Sequence, residues 1–497
     1  MNTVSTKRYI GISLGPIDRI LDYAKSTRAI WASSYLFAYL GKQIAGRYFF
    51  EKGNRFLKPW ITAEMFDLKD GVGRFPDQYI FETEATVADV RQYCNGVLES
   101  LAGNMANVLG LKSQADEMAN YLKHVLRIII VERQFPEQTE DQAVVQDLQK
   151  RLGAMECRDA YLAEETRNYL AAFFESTSTE SALYQDVTVT DKQGRLFSTI
   201  LECSAGEEGK PYRTELLKEN PKLSLKPYQK YIAFVSADGD NFGKTLATLG
   251  DVAGSVFMAY NLAIRKLVDD YGGQVIYQGG DDILFFAPVY NKGEDIFHLL
   301  KGIDTCFAEI LHKNEAVKKH LANLPVECKP TLSYGVSISY YKYPMAEAKD
   351  LSGSLLEEVK DVPAKTPKNK IRWRARKHSG QLFGGTLDKN QPEQYEKSIQ
   401  LIAGALSGDS NFLHSVTHWL NRQQPALGAI LNLEGDERAV CLDNYVANSF
   451  NEPGHQKYTV FFSALKDLLL AYPKSAGIDA AHRILRYVDL LIKKEDK

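Results

Sequence analysis

The sequence predicts an α+β protein built from several domains, and three observations carry that reading. Its 497 residues exceed what one hydrophobic core organises. Between about residues 229 and 380 the strand and helix periods alternate as β-α-β-β-α-β, the ferredoxin-like order. From 381 to 497 the period is helical and reads as a bundle. The composition, 44% hydrophobic and 25% charged, is that of a soluble globular protein. A net charge of −3 gives no global attraction for nucleic acid, so any such surface must be a local patch.

The elements follow in order. A strand over Tyr9–Ser13 runs into Gly15-Pro16, with Pro16 suited to the first turn of a helix. Helical stretches are expected over Ile17–Lys25 and Ile30–Ala45, then a strand over Gln78–Phe81. Helical periodicity runs from Ala85 to Phe174 with breaks near Pro136 and Gly153. Ser176–Pro227, rich in Ser, Thr, Lys and Gly, reads as a connector with short strands. The pattern changes at Lys230: strand Tyr231–Ser236, helix Val252–Asp270, a hairpin around residue 280, helix Asp295–His312, strand Thr331–Tyr340, helix Met345–Val359 and strand Ile371–Arg376. Glu393–Leu406, Asn411–Arg422, Gln456–Ala471 and Ala480–Lys493 are the clearest helices after it. The domain boundaries are thus set at 1–130, 131–228, 229–380 and 381–497.

The chemistry concentrates in the hairpin. Val275–Tyr277 and Ile283–Phe286 flank Gly279-Gly280-Asp281-Asp282. The glycines supply a permissive turn and leave no side chain to block an approaching phosphate. Two adjacent carboxylates repel each other, and such a pair is tolerated mainly where divalent cations sit between them. Asp238 ends the apolar run Ile232–Val235, 43 residues before Asp281, and faces the hairpin tip if the two strands lie side by side. Asp238 with Gly239, Asp281 and Asp282 therefore form a candidate site for two Mg²⁺ or Mn²⁺ ions, as nucleotidyl transfer requires. Asp240 is set aside as the weaker candidate, on the opposite face if the strand continues. Asp238–Asn241 also reads as a capping turn; the calcium-loop alternative lacks its closing Glu.

Phosphates need donors and positive charge. Asn241, Phe242, Gly243 and Lys244 lie where a helix start points its amides outward, and Lys244 is equally a solvated helix lysine. Lys365, Lys368 and Lys370 precede Arg372, Arg374 and Arg376; the lysines suit phosphate or RNA, whereas the alternating arginines also suit a solvated edge strand. Ser333, Tyr334 and Gly335 interrupt an apolar strand, leaving a base or ribose contact and a β-bulge as alternatives. Six scattered cysteines with no Cys-x-x-Cys pair argue against zinc and for a reducing cytoplasm. No signal peptide opens the sequence, no run is long enough to span a membrane, and no His is followed by Asp.

Ser236–Gly243 together with Gly279–Asp282 resembles the large, cyclase-like subunit of type III CRISPR effector complexes. Ser333–Ser339 with Tyr341–Pro344, Lys368–Lys370 and Ser379-Gly380 agree in order. Ile12–Ile17, Ala24–Arg28, Trp31–Leu36 and Gly73–Tyr79 resemble the Cmr-type opening of a first, degenerate palm domain. The resemblance implies two ferredoxin-like palms, the second carrying Gly-Gly-Asp-Asp, a linking helical region and a C-terminal helical domain. It also implies ATP-dependent synthesis of a second messenger, a cyclic oligoadenylate, when target RNA is bound. Asp281 and Asp282 would be metal ligands, Asp238 would share one metal, and Gly279 and Gly280 would border the nucleotide. The expected partners are other complex subunits, guide RNA and target RNA. An N-terminal HD nuclease domain and the zinc-binding linker are expected to be missing, Cys203 standing alone. Some nuclease-less relatives join AMP to S-adenosylmethionine, so that acceptor stays open beside ring formation. A stand-alone diguanylate cyclase and an inactive scaffold are the competing readings; the first calls for a Glu-Phe ending where Asp282-Ile283 stands, the second for loss of the aspartates.

Overall fold

β-Branched runs bounded by turn residues settle into strands when a partner strand lies alongside. In a computed structural model, such runs build two sheets of matching topology. The structure describes residues 5–67, 75–157, 167–176, 178, 180–184, 199–205, 225–241, 252–279, 281–313, 315–325, 328–363, 366–406, 408–451 and 453–492. The first sheet contains β1 (Thr6–Gly15), β2 (Phe56–Lys58), β3 (Gln78–Glu82) and β4 (Arg127–Pro136) in the order β2-β3-β1-β4. β1 is antiparallel to both neighbours and buried continuously from Tyr9 to Leu14, because both of its faces are covered.

β4 was not expected: its residues fell within a stretch read as helical from Ala85 to Phe174. Ile128–Val131 is stiff at χ1 and pairs with β1 along its whole length, so the tertiary ladder overrides the helical period around it. The break expected at Gly153 is absent, since helix Asp141–Glu156 runs through it. That helix packs Val144 and Leu148 on Tyr9 and Ile80, so the first unit extends past residue 130. The short strands expected between Ser176 and Pro227 fall largely outside the described residues.

The second sheet contains β5 (Tyr231–Asp240), β6 (Gln274–Gly279), β7 (Asp282–Pro288), β10 (Thr331–Tyr340), β11 (Lys370–Arg376) and β12 (Leu382–Asp388). The two-residue strands β8 (Tyr290–Asn291) and β9 (Glu294–Asp295) form a separate ribbon. The order β12-β11-β10-β5-β7-β6 includes β6-β7-β5-β10, which repeats the arrangement of the first sheet. β10 and β11 are parallel, as the intervening helix Met345–Lys360 requires.

The two faces of this sheet have different partners. Ala233, Val235 and Ala237 of β5 pack with helices Val252–Asp270 and Ile296–Lys313 and with the C-terminal helices. Ile232 and Phe234 point the other way and share a core with helix Thr27–Ala45 of the first unit. That helix is buried around most of its circumference because a sheet lies on either side of it. Ser26 caps it, accepting the Ala29 N–H at 3.2 Å.

β12 lies in the segment expected to be wholly helical and joins the sheet beside β11. Its glycines hid the strand period: a Cβ on Gly384 would come within 2.1 Å of the Trp373 carbonyl oxygen. The bundle therefore starts at Pro392–Leu406 and continues with Ser410–Arg422, Gln424–Leu431, Asp436–Ser449, Thr459–Ala471 and Ala476–Ile492. Tyr487 of the last helix meets Phe297 and Trp373 at ring distances of 5.1 and 5.6 Å, so bundle and sheet form one core.

Gly335 resolves an alternative left by the sequence. The β10–β5 register is continuous through it, so there is no bulge. A Cβ there would stand 2.0 Å from the Ser352 carbonyl oxygen and 2.4 Å from the Leu356 nitrogen, so helix Met345–Lys360 rides directly on the strand backbone. Gly335→Ala is expected to destabilise the protein by about 2–3 kcal/mol through overpacking, read as a lowered denaturant midpoint.

Candidate active site

Strand pairing brings the aspartates together. β5 and β7 pair with Ala237 opposite Ile283, and the next pair in that register is Asp238 opposite Asp282. Residues directly opposite in an antiparallel pair share a face with Cβ atoms about 5 Å apart, and like charges there repel. Asp282 is solvent-exposed at the hairpin tip yet closely ringed by protein. Lost hydration, then the charges of Asp238 and Asp281, push its carboxyl up to about 7. Asp281, half-buried, is raised as well, by burial first and by Asp238 second.

Asp240 is a correction. Side chains two residues apart on a strand return to the same face, so Asp240 lies on the face of Asp238 rather than opposite to it. It is 2% exposed and densely held. Its Oδ2 accepts from Ser333 Oγ at 2.7 Å, Thr331 Oγ1 at 2.9 Å and the Asn369 backbone N–H at 3.0 Å. The ammonium of Lys360 lies 3.1 Å from its Oδ1, bonds Asp238 Oδ2, and donates to the Gly239 carbonyl at 3.0 Å. Asp240 is thus an anchor that holds Lys360 and the ends of β10 and β11, while Asp238 faces the hairpin.

The first unit completes the surroundings. Burial lowers the ammonium of Lys58, which lies within the field of Asp77 and Asp281 and donates to Gln78 Oε1 at 3.2 Å. Burial raises the carboxyl of Asp77. A cleft lined by Ser34, Phe37, Pro76, Asp77, Tyr277 and Gly279 runs along the seam between helix Thr27–Ala45 and β6. The Gly279–Asp282 tip is therefore set between the two α/β units and not at a free edge.

The other expected site residues that are described are engaged within the fold, and Ser333 lies opposite Asp238 in the β5–β10 register. Ser333 is fully buried, and its Oγ donates to Asp240 while accepting from the Asn369 N–H at 3.0 Å. Lys370 pairs with Asp388 at 3.4 Å, and the Lys368 carbonyl accepts from Asn390 at 2.5 Å. Asn241 takes a left-handed backbone at φ 57° and donates to the Lys329 carbonyl at 3.4 Å. Phe242, Gly243, Lys244, Gly280 and Lys365 lie outside the described residues. Sequence reasoning missed Lys360, Thr331 and Lys58. A lysine in the last turn of a helix reads as a complement to the helix dipole, and no local signal marks its reach to another strand.

The donor set is hard carboxylate oxygen with negative charge in excess, which suits Mg²⁺ or Mn²⁺. Among the described residues no three His, Cys, Asp or Glu side chains lie close enough together to hold a metal ion, and Lys360 takes one oxygen of Asp238.

Residues 231–371 match the model of the Cas10/Cmr2 second palm domain. That segment contains the Asp238–Asp282 pair, Asp281, Ser333 and Lys360. The whole fold is similar to the apo Csm1–Csm4 cassette at TM-score 0.55 and 12% identity, over 99% of this chain and 70% of that one. It is also similar to the cassette in complex with cA4 (TM-score 0.54, 13% identity, 98% and 70% covered) and with AMPPNP (0.51, 13%, 94% and 70%). No curated protein matches the chain in sequence.

Two outcomes follow from these charges. Asp282 holds its proton more tightly folded than unfolded, so its contribution to stability is lost as pH rises from its ordinary 3.8 through about 7. The metal-free protein is expected to melt at a lower temperature at pH 8 than at pH 5.5 by a margin that Asp282→Asn reduces, as followed by calorimetry. Removing Lys360, whose side chain is 19% exposed, leaves Asp238 and Asp240 uncompensated. Lys360→Met is expected to destabilise the metal-free protein by about 3 kcal/mol and to recover more stability on Mn²⁺ addition than the wild type does.

Proposed function

We propose that this chain is the nucleotide-synthesising subunit of an RNA-guided type III CRISPR complex. In that reading it transfers AMP from ATP to build a nucleotide second messenger when target RNA is bound. The observation that carries the reading is the in-register Asp238–Asp282 pair with Asp281 beside it, four carboxylates counting Asp240 against the contact of one lysine. Supporting it are the second-palm match and a fold shared with a cassette solved with cA4, pppApA and AMPPNP. The repeated strand order supports a first unit that is a degenerate palm, lacking the aspartates of the second.

In the reaction, the 3′-hydroxyl of one adenosine gives its proton to water as its oxygen bonds the α-phosphorus of an ATP, and the bond from that phosphorus to pyrophosphate breaks. Asp238, Asp281 and Asp282 would hold the divalent ions, with Lys360 yielding its oxygen of Asp238, and the ions would supply Lewis-acid charge for the phosphate and the leaving pyrophosphate. Asp240 with Thr331, Ser333 and Asn369 keeps the end of β5 from shifting. Lys360 neutralises Asp238 until a competing cation arrives. The seam cleft beside Gly279 is a partly apolar place for a base, shielded from solvent by the first unit.

The purified complex, with guide RNA, labelled ATP and Mg²⁺ or Mn²⁺, is expected to form an adenylate product only when matching target RNA is added. Asp281→Ala/Asp282→Ala should lower product at least about 100-fold without changing assembly. Full product from that variant would sink the site assignment. A product that appears only with added S-adenosylmethionine would identify conjugation instead of ring closure.

A further inference from the structure

We propose that the Tyr277 hydroxyl contacts the substrate, donating a hydrogen bond to a phosphate oxygen of the nucleotide bound at the Gly279–Asp282 tip. The inference deepens the nucleotide-transfer reading above and rests on it. Gly279 makes room for that hydroxyl. A Cβ there would stand 2.0 Å from the Tyr277 hydroxyl oxygen and 2.5 Å from its Cζ, so the phenol already fills the space that the glycine leaves.

The strand ladder fixes the direction of the phenol. Tyr277 pairs with Leu284 and Gly279 with Asp282, so Tyr277 lies on the face that carries Asp282. Its ring packs on the core shared with the first unit and runs along β6 toward the hairpin tip. It lines the seam cleft with Ser34, Phe37 and Asp77. Burial first, then the charges of Asp77 and Asp282, make the phenol hold its proton more tightly. A protonated phenol is a donor, and this one has no hydrogen-bond partner among the described residues.

Other donors around the tip are committed. Lys360 serves Asp238, Asp240 and the Gly239 carbonyl, and Lys58 donates to Gln78. Ser333 donates to Asp240, and Gln278, on the other face of β6, donates to Asn261 at 2.9 Å. A lysine in place of Tyr277 would pair with the carboxylates and compete with the ions they are to hold. A phenol is neutral, so it adds a donor and leaves the carboxylate charge to the ions. Its position favours phosphate over sugar or base. The hydroxyl sits against Gly279, directly across the ladder from Asp282, where the ions and the phosphates they bind would lie. The body of the ring lines the cleft beyond, with Phe37 and Pro76.

The test measures binding of the full chain, with Mg²⁺ or Mn²⁺, to a labelled ATP analogue that has a methylene bridge between its α- and β-phosphates and cannot release pyrophosphate. The 2′-deoxy form of the same analogue is measured beside it. Tyr277→Phe keeps the ring and is expected to weaken both by at least about 10-fold, and equally, the loss of one hydrogen bond to a charged group. A melting temperature within a few degrees of the wild type establishes that the variant is folded. Gly279→Ala should weaken binding too, and adding Tyr277→Phe to it should cost little more, because both remove one contact. Unchanged affinity in Tyr277→Phe overturns the proposal. So does a loss that disappears with the 2′-deoxy analogue, which gives the hydroxyl to the sugar. Tighter binding by Tyr277→Ala than by the wild type overturns it as well, since the phenol would then be a plug. Wild-type protein that binds neither analogue defeats the nucleotide-transfer reading itself, so the two failures are distinct.

Discussion

The candidate site depends on one placement of charge: Asp238 opposite Asp282 across two paired strands, with Asp281 beside them. A sheet tolerates that only if something else carries the repulsion. Here a lysine from a third element reaches back to Asp238 and Asp240, and buried Asp240 is held by donors from β10 and from the approach to β11. The network joins the ends of three strands and the last turn of a helix. The same contacts that keep the aspartates together therefore also hold the sheet end rigid, and rigidity is what charge-stabilising catalysis requires.

Two faces of one sheet then divide the labour. One face of β5 packs into the core shared with the C-terminal helices, and the other meets the first unit along helix Thr27–Ala45. Because the aspartates lie on the second face, their surroundings include Lys58 and Asp77 from the first unit. At the far end of the same sheet Arg376 stands over the Tyr343 ring on one face and Arg486 of the last helix over Phe383 on the other, neither with a carboxylate at ion-pair distance among the described residues. The sheet thus separates a negative end from a positive end by its own length, roughly 30 Å for a ten-residue strand.

Much of the second sheet and its helices was legible in sequence because these elements are long and their periods clear. Thr331–Tyr340 has the strand bounds expected, and the strand around Asp238 continues through Asp240. β4 was missed because Ile128–Val131 is a short apolar run between helices, and only its ladder with β1 distinguishes strand from buried helix. β12 was missed because Gly384 and Gly385 erase the alternation that marks a strand. Within the site, Asp238, Asp281 and Asp282 could be read from strand ends flanking a turn, whereas the role of Asp240 required knowing that β5 runs on. Ser333 was singled out for a base or ribose contact, or a β-bulge, and in the structure its hydroxyl donates to Asp240.

By itself the sequence determined which chemistry is available and roughly where: carboxylates at strand ends, glycines in the turn between them, and arginines alternating along β11. Period, turn chemistry and charge are local properties, so they survive without a fold. Only the tertiary structure decided which cation meets which anion. Lys360 contacts Gly239 across 121 residues of chain, and Arg376 is left without the carboxylate that its two neighbours share. Such pairings depend on how a helix lies on a sheet, and here helix Met345–Lys360 meets the backbone of β10 at Gly335.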